Sequence, residues 1–511
     1  MCVRHGHATL PGVLGPRLRA ICDLIVPTAR EGIGLHAYDG VVGDLSPAGV
    51  RAGLARLGGA PLADPHDEAH LATVEASLRV ELGELEEHRR NPLLHISNLD
   101  LANYDRAYAP PEERAAGRRA HLACWPDAVA AALEALDRVP RHVAQGLLGA
   151  AEGLAHGLDP SKDADALAAH QRFVEHLRRA AAEGDPHAAL GGPALARLLA
   201  TAEATDVDLA RLAEQADGER ERLRSLLASS CEALQPDAPI VATVAALEAD
   251  HPTADGVLDE ARQMTGEVLA FTRASGIVPE HDGECRVGPA PPSRSYALAM
   301  LSPAAPFEED GPSWFHVTPP ARSWSPQQVD DWLAVFNRTR LPAIAVHEVA
   351  PGHFTHFRFM RRAPSAVRKA LHSYAFVEGW AHYMEELLLE EGFRAGDPHY
   401  AAGVALEALV RVTRLAVAIG LHTGAMTADE AERRFVEDAF IRGPAARSEA
   451  LRATWDPGYG SYTWGKLELW GLRADARRAW GSGFSNRRFH GALLALGAPP
   501  LGLARCALGL G

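Results

Sequence analysis

Long runs rich in Ala, Leu, Arg and Glu dominate the first half of the chain, at residues 68–89, 113–136, 163–182, 192–228 and 256–274. Their apolar residues recur at three- and four-residue steps, the pattern of helices that bury one face. Breaks such as Ala109-Pro110-Pro111 and Gly184-Asp185-Pro186 separate them. None carries a chemical motif. A chain patterned this way is expected to be mainly α, with residues 1–275 as scaffold helices that cover a cleft.

From about 276 to 325 the character changes. Pro279, Gly283, Pro289, Pro291, Pro292 and Pro303 interrupt any helix. Short β-prone runs follow at Arg294–Met300 and Trp314–Thr318, and a small sheet is expected from them. An edge strand there suits an extended peptide, and His316 is placed either to touch substrate or to support the site from behind. Ser325-Pro326 reads as an N-cap followed by proline at the first helical position, opening a helix expected to end near Arg340.

The chemistry concentrates in His347-Glu348-Val349-Ala350-Pro351-Gly352-His353-Phe354. Glu378-Gly379-Trp380-Ala381 follows inside another helical pattern, Leu371 to Glu391. Two imidazoles and a later carboxylate are a ligand set for zinc, with the fourth position left for water. Glu348 is then placed as general base. The spacing departs from His-Glu-x-x-His. The residue four beyond His347 is Pro351, and a six-residue step turns a regular helix by roughly 240°. The helix must therefore break at Pro351-Gly352 if His353 is to return to the metal. The alternative for Glu378, with Tyr374, His382 and Glu385 on its face, is a salt-bridged helix surface.

A further apolar helix is expected over about 401–422. Glu407, Arg411, Arg414 and His422 fall within roughly 80° of its circumference. Arg411 and Arg414 either bind a substrate carboxylate or pair with Glu407, Glu385 or Glu386.

These blocks together resemble the bacterial domain-of-unknown-function family 885, a set of zincin-like proteins. The resemblance rests on His347–His353 and Glu378–Ala381. It continues through Arg411-Val412-Thr413-Arg414-Leu415, Gly420-Leu421-His422, Pro457-Gly458-Tyr459-Gly460-Ser461-Tyr462-Thr463-Trp464-Gly465-Lys466 and Phe489–Leu494. It is specific for roughly residues 290–503. It implies a large helical zincin-like (gluzincin-type) architecture with a small sheet beside the metal site and a deep central cleft. Residues 276–511 would be the catalytic region, continuous with the first. It implies one Zn²⁺ on His347, His353 and Glu378, with Tyr459 and Lys466 near substrate. Phe354 replaces a second family His, so His356 is the alternative ligand. Tyr459 replaces the family's Gln.

The expected activity is hydrolysis of amide bonds in a small peptide or peptide-like substrate. Glu348 serves as base, and Tyr462 and His422 are the candidate donors to the oxyanion. A zinc enzyme of another class (lyase, cyclase or ester hydrolase) and a metal-free binding protein are the alternatives. The net charge of −15 argues against nucleic acid and anionic membranes as partners. No run of about 18 apolar residues occurs. The start of the chain lacks a signal-like apolar segment. Cys2, Cys22, Cys124, Cys231, Cys285 and Cys506 are scattered, as reduced cytoplasmic thiols would be.

Overall fold

The computed structural model describes residues 14–290, 298–309, 311–320 and 324–510. It is mainly helical, with one small sheet. Three of the long runs become the single helices Pro111–Ala135, Ala164–Glu183 and Val257–Ser275. Two are divided. The run 192–228 gives Gly192–Glu203 and Leu209–Leu234. Ala204 takes a left-handed conformation there, and the Asp208 carboxylate accepts from the Ala210 and Arg211 amides. That cap satisfies amides at the new helix start, which favours a break over continuation. The run 68–89 gives Pro65–Leu78, a π-helical turn Arg79–Glu84 and the short helix Glu87–Arg90.

Ser325 caps its helix as expected, in a reciprocal capping box with Gln328. That helix ends at Leu333 rather than near Arg340. A 3-10 turn follows, and Asn337 Oδ1 then accepts from the amides of Thr339 and Arg340. Those bonds open the next helix, Leu341–Glu348.

The sheet has three strands: β1 (Cys285–Pro289), β2 (Ala299–Ser302) and β3 (Ser313–Val317), in the order β1-β3-β2. β1 runs parallel to the central β3 and β2 antiparallel to it. β3 alternates buried Ser313, Phe315 and Val317 with Trp314 and His316, so one face seats on the helices. Of the expected strand Arg294–Met300, residues 294–297 lie outside the described residues, and β2 begins at Ala299.

The main core draws on both sides of position 275. Leu195, Leu223, Val257 and Val268 join Trp380, Leu409, Leu469 and Leu494 in one cluster. Within it, the helix Tyr374–Glu390 crosses the helix Ser461–Trp480 at two glycines. A Cβ on Gly379 would lie 2.6 Å from Gly465 Cα, and one on Gly465 would strike the Ala375 carbonyl. No larger residue allows backbones this close, which accounts for the glycine after Glu378. The crossing sets Tyr462, in the first turn of one helix, beside Glu378 on the other.

Candidate metal centre

His347 is the penultimate residue of the helix Leu341–Glu348. The helix stops at Val349, and the next one, His353–Arg361, starts at the second His. The break expected from Pro351-Gly352 is thus present. A Cβ on Gly352 would drive into the carbonyls of Val346 and His347, so only glycine permits this fold-back. Trp380 Nε1 donates to the Pro351 carbonyl at 2.9 Å and pins the break to the Glu378 helix.

The reversal brings the rings of His347 and His353 to a centroid separation of 4.6 Å, edge to face. Glu378 Oε2 lies 3.4 Å from His347 Nε2 and 3.3 Å from His353 Nε2. One ligand atom from each of the three residues lies within 4.8 Å of the others. Glu378 Oε2 and His353 Nδ1 are buried and complete no hydrogen bond. Buried polar atoms normally have a partner, so a carboxylate oxygen facing two imidazole nitrogens here fits a cation. The donor set of two nitrogens and one oxygen suits zinc.

Behind His347, its Nδ1 donates to Glu385 Oε1 at 2.6 Å. That bond fixes the ring orientation so that Nε2 is the nitrogen facing Glu378. Glu385 has no exposed surface and also meets His382 Nδ1 and Arg411 Nη1, each at 3.3 Å. Burial pushes its carboxyl up, but Arg411, His382 and His347 outweigh this and hold it well below the usual range. Burial and Arg411 push His347 down, but the carboxylates of Glu378 and Glu385 prevail and raise it to about 9. The sequence offered Glu385 only as a salt-bridge residue on the face of Glu378 and as a partner for an arginine, and its bond to His347 was not foreseen.

Glu348 is partly exposed at its helix end. It lies near β1, where the Cys285 thiol is pushed up to about 12, chiefly by burial and in lesser part by Glu348. Tyr462 is the second residue of the helix Ser461–Trp480. Its ring lies nearly parallel to His347 at 6.2 Å, with the guanidinium groups of Arg414 and Arg411 at 5.3 and 5.9 Å from its centroid. His356 is turned away: its Nε2 donates to the Gly497 carbonyl at 3.0 Å, and burial lowers its pKa to about 3. Phe354 is buried, edge to face with His281.

Several expected roles do not survive the geometry. His422 Nδ1 accepts from the Leu190 amide and Nε2 donates to the Ala453 carbonyl, so no N–H remains for an oxyanion. It ties the end of its helix, Pro398–Thr423, to two neighbours. Arg411 spends its Nη groups on Glu385 and Glu407, the pairing offered as its alternative, and Arg414 forms a two-pronged pair with Glu449 at 2.8 Å. Neither offers a free fork to a substrate carboxylate. Lys466 is fully buried between Glu219 and Glu386. Tyr459 is fully buried too, its hydroxyl on the Glu449 carbonyl. Neither is open to substrate. His316, on β3, stacks on Trp314 and bonds the Pro289 carbonyl through Nδ1.

The chain is mainly helical and folds two histidines back onto a glutamate of another helix, a group whose ligand atoms lie close enough together to hold a metal ion. The chain belongs to the family described as bacterial protein of unknown function (DUF885), whose model matches residues 27–508. Two solved structures share its fold, both described as a "putative lipoprotein". The one from Shewanella oneidensis, of unknown function, is 21% identical with a TM-score of 0.76, covering 96% of this chain and 98% of that one. The one from Colwellia psychrerythraea is 15% identical with a TM-score of 0.78, covering 97% and 99%. No curated protein matches the chain.

Proposed function

We propose that this protein is a zinc-dependent hydrolase that cleaves an amide bond in a small peptide or peptide-like substrate. The observation that carries the reading is the convergence of His347 Nε2, His353 Nε2 and Glu378 Oε2, with Glu385 orienting His347 from behind. These three residues would hold the metal. Bound there, zinc supplies Lewis acidity and lowers the pKa of water.

The chain's own residues do the rest. The Glu348 carboxylate takes a proton from the attacking water and passes it to the leaving amine. The Tyr462 hydroxyl donates to the carbonyl oxygen as negative charge develops on it. Glu385 holds His347 in one tautomer throughout. A recessed zincin-like cleft is supported by Tyr374. The residue is partly open to solvent and stands one helical turn before Glu378, its hydroxyl 3.1 Å from that of Tyr462.

Among the described residues no helix is long and apolar enough to cross a membrane. The cytoplasmic reading rests on Cys22, Cys124, Cys231, Cys285 and Cys506, all free thiols. The two similar structures carry a lipoprotein description, so cell fractionation decides between the compartments. The function itself is tested by digesting peptide, amide and ester panels with zinc-loaded protein. Release of amines at amide bonds supports the reading. Turnover confined to esters, or elimination products, overturns it.

A further inference from the structure

We propose that Tyr374 is a positioning residue that fixes the direction in which the Tyr462 hydroxyl donates. Its use in turnover rests on the hydrolase reading above; its geometry does not.

Arg452 Nη2 lies 3.4 Å from Tyr374 Oη, which lies 3.1 Å from Tyr462 Oη. A guanidinium group has donors only. Tyr374 Oη accepts from Arg452 on one lone pair, and its proton points at Tyr462 Oη. Tyr462 then receives a hydrogen bond on its oxygen, and its own proton must point elsewhere.

The surroundings limit where that is. The Tyr462 ring is held by His347, nearly parallel to it, and by the guanidinium groups of Arg414 and Arg411 packed over it. The Tyr374 ring meets it edge-on, at 5.8 Å and 89°. Only rotation about the C–O bond is left, and Tyr374 occupies one acceptor direction. Arg452 is itself anchored, with Nε and Nη2 both on Asp456 Oδ2 at 3.0 and 2.9 Å. Arg452 thus donates both ways, to Asp456, which anchors it, and to Tyr374, and the directed run is Arg452 to Tyr374 to Tyr462, in which the first donation strengthens the second.

Tyr374 is also one helical turn before Glu378, so both project from one face of the same helix. The element that presents the carboxylate ligand thus presents the residue that aims the neighbouring hydroxyl. Tyr374 does not reach the reacting atoms in this arrangement; it acts through Tyr462.

The test is Tyr374→Phe, which keeps the ring and removes the hydroxyl, compared with Tyr462→Phe and the double variant. Full-length protein labelled at tyrosine 13Cζ reports the hydrogen bond with no substrate present. The Tyr462 resonance, assigned by its loss in Tyr462→Phe, is expected to move in Tyr374→Phe. In zinc-loaded protein, Tyr374→Phe is expected to lower kcat about tenfold with KM unchanged, the scale for one lost hydrogen bond. The double variant is expected to be no slower than Tyr462→Phe alone. An unmoved resonance overturns the chain of donors. A moved resonance with wild-type kcat, or losses that multiply in the double variant, overturns the positioning role. If wild-type protein turns over nothing, the hydrolase reading has failed, and the resonance alone decides whether the chain exists.

Discussion

His347 Nδ1 and Glu385 Oε1 are 2.6 Å apart, in a place where Glu385 has no exposed surface. The carboxylate is buried because Arg411 and His382 share it, and it in turn dictates which nitrogen of His347 faces Glu378. Glu385→Gln is expected to weaken zinc affinity about 10–100-fold, the usual cost of losing such an orienting partner. It is also expected to lower Tm, because Arg411 loses a buried counter-charge. Competition with a chelator, read alongside a thermal melt, checks both. Unchanged affinity would mean that Glu385 serves packing alone.

Glu348→Gln is expected to keep the metal and lose about 10²–10⁴-fold in turnover, since an amide cannot act as base. The comparison is made at equal zinc content. Near-normal turnover would remove Glu348 from the mechanism.

Gly379→Ala sets two effects against each other. In a helix interior Ala is favoured over Gly by about 1 kcal/mol. At the crossing, a Cβ meets the Gly465 backbone at 2.6 Å, and backbone cannot move aside as a side chain can. Overpacking of this kind costs about 1–3 kcal/mol and is expected to win. Urea denaturation measures the sign. The separation of Tyr462 from His347 should also grow, so kcat falls even in the folded fraction.

Glu203 supplies a pH signature. Its buried carboxylate accepts from Ser373 Oγ and the Leu501 amide, but burial outweighs these bonds and raises its pKa to about 7. The folded pKa is above the unfolded one, so the native state binds more protons between about pH 4.5 and 7. Its contribution is complete below that window and is lost as pH rises through it, at no more than about 1.4 kcal/mol per pH unit. Glu203→Gln is expected to flatten stability against pH in that window. An unchanged slope would show that Glu203 is charged throughout.

Local patterns carried much of this architecture. The helices over 113–136, 163–182 and 256–274, the cap at Ser325 and the break at Pro351-Gly352 each rest on residues a few positions apart, where propensity and sterics act directly. The pairing of His347 with His353 was legible for the same reason, whereas Glu378 lies 25 positions on and was read from its residue type on a later helix. β1 was not, because Gly288 and Pro289 disguise a strand whose pairing with β3 lies 28 positions away, as Cys285↔Ser313 shows. Arg414 and Lys466 were misplaced for a related reason. An arginine on an apolar helix face announces that it needs a carboxylate, but nothing local says that Glu449 or Glu219 will supply it. His422 is the same case, since its partners are backbone groups at Leu190 and Ala453.

The central claim is that His347, His353 and Glu378 hold one zinc ion. Elemental analysis of full-length protein grown with zinc and dialysed against metal-free buffer measures it. One zinc per chain is predicted for wild type and for His356→Ala, with loss in His353→Ala and in Glu378→Ala. A wild type without metal, or a His353→Ala protein that keeps its zinc while His356→Ala loses it, would contradict the account.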